Sequence, residues 1–209
     1  MSGDSGGDRT DDSLLAHAFA RLLAGVRAGD DAAARQLFAD FGPELQRVIR
    51  FELRKTRQNP VYEVEDVLQS VLRTFFVRAG LGQYDLASPT DLRRLLARIA
   101  HNKVVGIVRR ETADRRGGGL VRAADYATLP LAAPGETPSQ LVGDRELLRQ
   151  FEARLPERVR QLRDLRRDGR SWDDIAALLG GTPEGLRKEL SRGIDEAANA
   201  LGIEDLGDD

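Results

Sequence analysis

The sequence predicts an all-α protein: two small helical domains joined by a flexible linker, the second carrying a helix-turn-helix. Three observations carry this. Apolar residues recur at three- and four-residue steps along most of the 209 residues, the period of a helix with one buried face. Leu, Ala and Arg are abundant while β-branched residues are sparse, a composition that favours helix over strand. Between 112 and 140 the periodicity fails, and Arg116-Gly117-Gly118-Gly119 is followed by Pro130, Pro134 and Pro138, a run that reads as a linker. Hydrophobic residues make up 41% and aromatics only 5%, so the cores must be built mainly of Leu, Ala and Val.

The polar, acidic start, residues 1–12, reads as a disordered tail with no apolar signal segment. From Ser13 the pattern turns helical through Leu14, Leu15, Phe19, Leu22, Leu23 and Val26, and Gly29-Asp30 breaks it. Residues 32–41 read as a second helix. Pro43, suited to a first helical turn, opens a third running to about Leu53. A helix over 64–78 places Val67, Leu68, Val71, Leu72, Phe75 and Phe76 on one face. A loop ending in Gln83-Tyr84-Asp85 follows, then Pro89-Thr90-Asp91 starts a long helix with Leu92, Leu95, Leu96, Ile99, Val104, Ile107 and Val108 apolar. The first domain thus spans 13–111, the linker 112–140, the second domain 141–203 and an acidic tail 204–209. A flexible linker of this length averages ~30 Å end to end and stretches to ~100 Å. It either spans a DNA turn of ~34 Å or folds onto one domain.

In the second domain Leu147, Leu148, Phe151 and Leu155 form one stripe. Pro156 opens a helix that Asp168-Gly169 ends. Ser171 and Asp174 fit a variant of the capping box. Gly180-Gly181 stops that helix, Thr182 caps the next with Pro183 at its first position, and Leu186, Leu190 and Ile194 form a buried stripe. Residues 171–194 therefore match a helix-turn-helix. Its outward positions are Glu184, Arg187, Lys188, Ser191 and Arg192, with Thr182 and the helix N-terminus able to take a phosphate. The alternative is a plain helical hairpin with a charged surface.

Net charge is −2, but nine basic residues lie between Arg93 and Arg122 against only Glu111 and Asp114. That stretch is either a phosphate-binding field or a solvated arginine-rich face. There is no Cys, which excludes disulfides and thiolate metal sites and fits a reducing cytosol. No apolar run approaches the ~18 residues of a membrane span. His17 and His101 are the only histidines and no glycine-rich phosphate loop follows a strand. The reading therefore includes no catalytic residue, no metal and no cofactor, and a cytoplasmic location without a membrane partner.

The order of these segments resembles the extracytoplasmic-function (ECF) group of bacterial RNA polymerase sigma factors, over almost all of 13–202. Residues 22–33 resemble that family's first conserved region. Asp66-Val67-Leu68-Gln69 matches its polymerase-holding segment, and 95–102 followed by Val108-Arg109-Arg110 matches its basic helix. Leu155-Pro156-Glu157-Arg158 through Leu186-Arg187-Lys188-Glu189-Leu190-Ser191-Arg192 matches its closing pattern. Arg115-Arg116-Gly117-Gly118-Gly119 is similar, more weakly, to a run in planctomycete-type members.

The resemblance implies that 13–111 corresponds to sigma region 2, which binds core RNA polymerase and opens the −10 promoter element. It implies that 141–203 corresponds to region 4, which reads the −35 element. Asp66, Gln69, Ser70 and Arg73 then meet the polymerase, in place of a merely solvated face. Arg98, Asn102, Lys103, Arg109 and Arg110 meet promoter DNA; Tyr84 stacks on a flipped base or else packs in the core. The implied partners are core RNA polymerase and promoter DNA, with an anti-sigma factor or other regulator as the restraint. The sequence departs from the family at Leu95, Gly106 and Gly193, and in the second helix at Glu184, Glu189 and Asp195, each carboxylate a cost near phosphate. Two other readings stay open: a stand-alone helix-turn-helix regulator, and a polymerase-binding protein whose DNA recognition has degenerated.

Overall fold

The computed structural model describes residues 7–56, 63–115 and 145–201. Within them the secondary structure is entirely helical: α1 (Gly7–Arg27), α2 (Asp31–Lys55), α3 (Val64–Gly80), α4 (Pro89–Arg115), α5 (Arg145–Arg154), α6 (Glu157–Arg167), α7 (Trp172–Leu179) and α8 (Pro183–Ala200). The glycine run of 117–119, most of the expected linker and the acidic tail lie outside the described residues.

Three boundaries differ from the sequence reading. Helix α1 begins at Gly7 rather than Ser13. Asp8, Asp11 and Asp12 stand in its first turns, where carboxylates oppose the positive end of the helix dipole. Residues 112–115 continue α4 rather than starting the linker. The expected second and third helices are one, because Pro43 lies inside α2 and does not open a new helix. Proline crowds the residue before it out of helical geometry chiefly through that residue's Cβ and N–H. Here that residue is Gly42, which has no Cβ, and the ring of Phe38 packs into the vacated space, 2.9 Å from where one would stand. The carbonyl of Ala39 that Pro43 leaves without a helical donor is on an exposed turn, where water serves it.

Helices α1 to α4 enclose one core, with Leu37, Ile49, Val71, Phe75 and Leu92 fully buried. The capping carboxylate of Asp30 accepts from the Ala32 N–H and sets the start of α2. Helices α2 and α4 are tied by two ion pairs, Glu44–Arg93 at 2.9 Å and Glu52–His101 at 2.9 Å. The partners advance by eight residues on both helices, so α2 and α4 run in the same direction. Helices α5 to α8 enclose a second core around Phe151, Leu162, Ile175, Leu190 and Ile194. Val77 and Leu81, from the end of α3, belong to this second core rather than the first.

Candidate nucleic-acid interface

Helices α7 and α8 form the helix-turn-helix. Ser171 caps α7 reciprocally with Asp174, the full capping box. The Asp174 carboxyl is held below its usual range, first by the Ser171 hydroxyl and then by the Ser171 backbone N–H. The turn runs through Gly180 (φ 74°) and Gly181 (φ 93°), conformations that side chains other than glycine's resist. Thr182 then accepts from the Gly185 N–H at 3.1 Å and starts α8 with Pro183 behind it. Leu186, Leu190 and Ile194 are buried as expected, which turns Glu184, Arg187, Lys188 and Arg192 to solvent and leaves Ser191 at the edge.

The carboxylates of α8 divide into two groups. Glu184 stays among the outward residues, 3.2 Å from Arg187 and 3.6 Å from Lys188. Glu189 is turned to Arg158 of α6 at 3.0 Å, and Asp195 accepts from Arg78 of α3. Two of the three acids that dilute the helix's charge thus hold the fold. Gly193 also has a packing reason: both methyls of Val159 lie 2.7 Å from where its Cβ would be.

On α4, Arg98, Asn102 and Arg109 share one face, with Arg98 and Arg109 exposed, Asn102 half-buried and Arg110 at the margin. Lys103 does not join them. At about 100° per residue it stands about 140° round from Arg98, on the stripe of Leu92, Leu96, Ile99 and Ala100, and it is 6% exposed. Tyr84 faces inward too: its ring stacks on Phe75, centroids 6.0 Å apart and planes 5° apart. Arg27 donates Nη2 to its carbonyl at 2.9 Å. On α3, Asp66, Gln69, Ser70 and Arg73 recur at helical spacing on one face, Asp66 exposed and the others half-buried.

Sequence reasoning missed that loop 81–85 and α8 meet. Arg78, alone among apolar residues at the end of α3, is 0% exposed; Nη1 donates to Gln83 at 2.8 Å and Nη2 to Asp195. The Gln83 side-chain amide donates to the Ser191 hydroxyl at 3.1 Å. Asp85 accepts from Arg187 at 3.2 Å through one oxygen and from Arg166 through the other. Arg166 is 7% exposed, lies over the Trp172 ring at 4.8 Å and donates to the Gly82 and Arg170 carbonyls. Burial lowers the pKa of Arg27, the Arg166 charge lowers it further and Asp85 opposes both. The polar residue inside an apolar run was the one available signal, at Arg78.

The family model described as ECF sigma factor matches residues 16–192, a span that includes both helical units in order. The chain belongs to the ECF sigma factor family. No curated protein and no solved structure matches it significantly. Membership gives this sigma factor a role in transcription initiation, with RNA polymerase and promoter DNA as the partners the family implies. The residues that a sigma factor turns to DNA are thus to be sought on α4, loop 81–85 and α8. Among the described residues no helix is long and apolar enough to cross a membrane.

Proposed function

We propose that this chain is a promoter-specificity subunit, catalysing no reaction itself and working bound to core RNA polymerase in the cytoplasm. The single observation that carries it is the continuous family match over 16–192, which takes in α1 to α4 and the helix-turn-helix together. Asp66, Gln69, Ser70 and Arg73 on α3 provide the polar face for the polymerase. Arg98, Asn102, Arg109 and Arg110 on α4 meet the −10 region, guanidinium groups on phosphates and the Asn102 amide toward a base edge. Arg187, Lys188 and Arg192, with the capped N-terminus of α8, meet the −35 region.

The reading of a polymerase-binding protein without DNA recognition rested on the mixed charge of α8. Engagement of Glu189 by Arg158 and of Asp195 by Arg78 removes most of that support. A stand-alone regulator leaves the polar face of α3 without a partner. Multi-round transcription with purified core polymerase on a genomic promoter library tests the proposal. Promoter-dependent transcripts are expected only when the chain is added. Absence of core binding together with absence of such transcripts overturns it.

A further inference from the structure

The two units read different promoter elements under the proposed function, and this inference rests on that reading. The elements named −10 and −35 are about 25 base pairs apart, hence about 85 Å along a duplex at ~3.4 Å per pair. Yet the loop of the first unit touches the reading helix of the second: Asp85 and Arg187 are 3.2 Å apart and Gln83 and Ser191 are 3.1 Å apart. This arrangement cannot serve both elements at once. The 29 residues between α4 and α5 can reach ~100 Å when extended, so chain length does not enforce the contact.

The contact itself has the character of a fitted joint. Val77 and Leu81 insert into the second core, Leu81 with 0% exposure. Gly82 stands at φ +74° with a hypothetical Cβ only 2.8 Å from the Arg166 Cβ, so the backbones approach as closely as a glycine permits. Asp85 presents two oxygens to two guanidinium groups, the same chemistry a DNA phosphate would offer them. Arg187 is spent on that carboxylate, and Ser191 on Gln83, in the very positions that α8 would turn to DNA.

We propose that the chain carries an intramolecular latch: in the absence of polymerase, loop 81–85 and the end of α3 hold α8 against the first unit and occlude its DNA-reading face. Core polymerase opens the latch by binding the two units apart. The strength of the latch is divided by burial. Arg187 and Asp85 are 46% and 45% exposed, so their pair contributes little and is screened by salt. Arg78 and Arg166 are buried, so separating the units requires water to reach both guanidiniums.

Because the chain has no Cys, two label sites can be placed cleanly at exposed positions outside the joint, Arg47→Cys on α2 and Ala200→Cys on α8. Resonance energy transfer between them is measured in the full chain, alone and with core polymerase, for the unaltered joint, Leu81→Glu and Asp195→Lys. Circular dichroism on each variant reports that its helices remain. Binding to mixed-sequence duplex DNA of about 30 base pairs is measured in parallel. High transfer in the free chain is expected, falling with polymerase and in both variants. Leu81→Glu, which adds a negative charge remote from DNA, is expected to bind duplex more tightly, by about tenfold if the closed form outnumbers the open one ten to one. Equal transfer in all three chains, with no change on adding polymerase, overturns the latch. Transfer that falls in the variants while duplex affinity stays fixed upholds the latch and overturns DNA reading by α8.

Discussion

The Glu189 carboxylate is held by Arg158, Oε1 to Nε at 3.0 Å, across the seam between α6 and α8. An acid that looks hostile to DNA in the sequence therefore ties the reading helix to its own domain. The cations left outward on α8 differ in what they already touch. Lys188 pairs with Glu184 at 3.6 Å, whereas Arg187 is engaged by Glu184 and Asp85 together.

Lys188→Ala is expected to weaken duplex binding uniformly across sequences and to reduce the slope of log affinity against log salt by about one. Arg187→Ala should cost the free chain less, since it also releases Asp85. Fluorescence anisotropy over a salt series measures both.

Gly193→Ala should destabilise the second unit although alanine is the better helix former by ~1 kcal/mol. The added methyl would overlap both Val159 methyls at 2.7 Å, and a β-branched side chain has little room to turn aside. Overpacking of this kind costs about 1–3 kcal/mol. Thermal unfolding should show a Tm lowered by several degrees, and Val159→Ala in the same chain should recover part of it.

Arg98 and Lys103 should respond oppositely. Arg98→Ala removes an exposed guanidinium and is expected to cut promoter-dependent transcription several-fold. Lys103→Met keeps the stem's volume in the core-facing stripe and should leave the transcript yield within about twofold. A yield lost equally by both variants would show that Lys103 reaches DNA in the open complex.

Glu52 should make the α2–α4 seam pH-dependent. Its carboxyl is held below the ordinary range, first by the hydrogen bond from Lys55 and more weakly by His101, against a burial effect that raises it. A group depressed on folding stabilises above its unfolded value, near 4.3, and that stabilisation is lost as pH falls through the lower folded value. Glu52→Gln should therefore lower Tm at pH 7, and the two chains should converge at about pH 3 and below. A constant difference across that range would assign the effect to packing.

Much of the fold was legible because it depends on near neighbours. The stripe of Leu186, Leu190 and Ile194, the Thr182 cap and the Ser171–Asp174 box are all set within four residues of sequence, and the structure has them as read. Pro43 misled because its usual effect needs a Cβ before it, and Gly42 supplies none. Lys103 was grouped with Arg98 by charge, although helical phase already placed it on the apolar side. The joint was invisible for a different reason. Arg78 and Asp195, or Asp85 and Arg187, are separated by 117 and 102 residues, and no local pattern says which charges on two units will face each other.

The contact between Asp85 and Arg187 also fixes how this sigma factor can be controlled. Whatever binds the closed arrangement and whatever binds the open one must oppose each other by equal free energies, even from opposite sides of the molecule. A restraining protein would then need no hold on the DNA-reading helix: bridging the outer faces of the two units would suffice, and polymerase would weaken its grip without ever touching it.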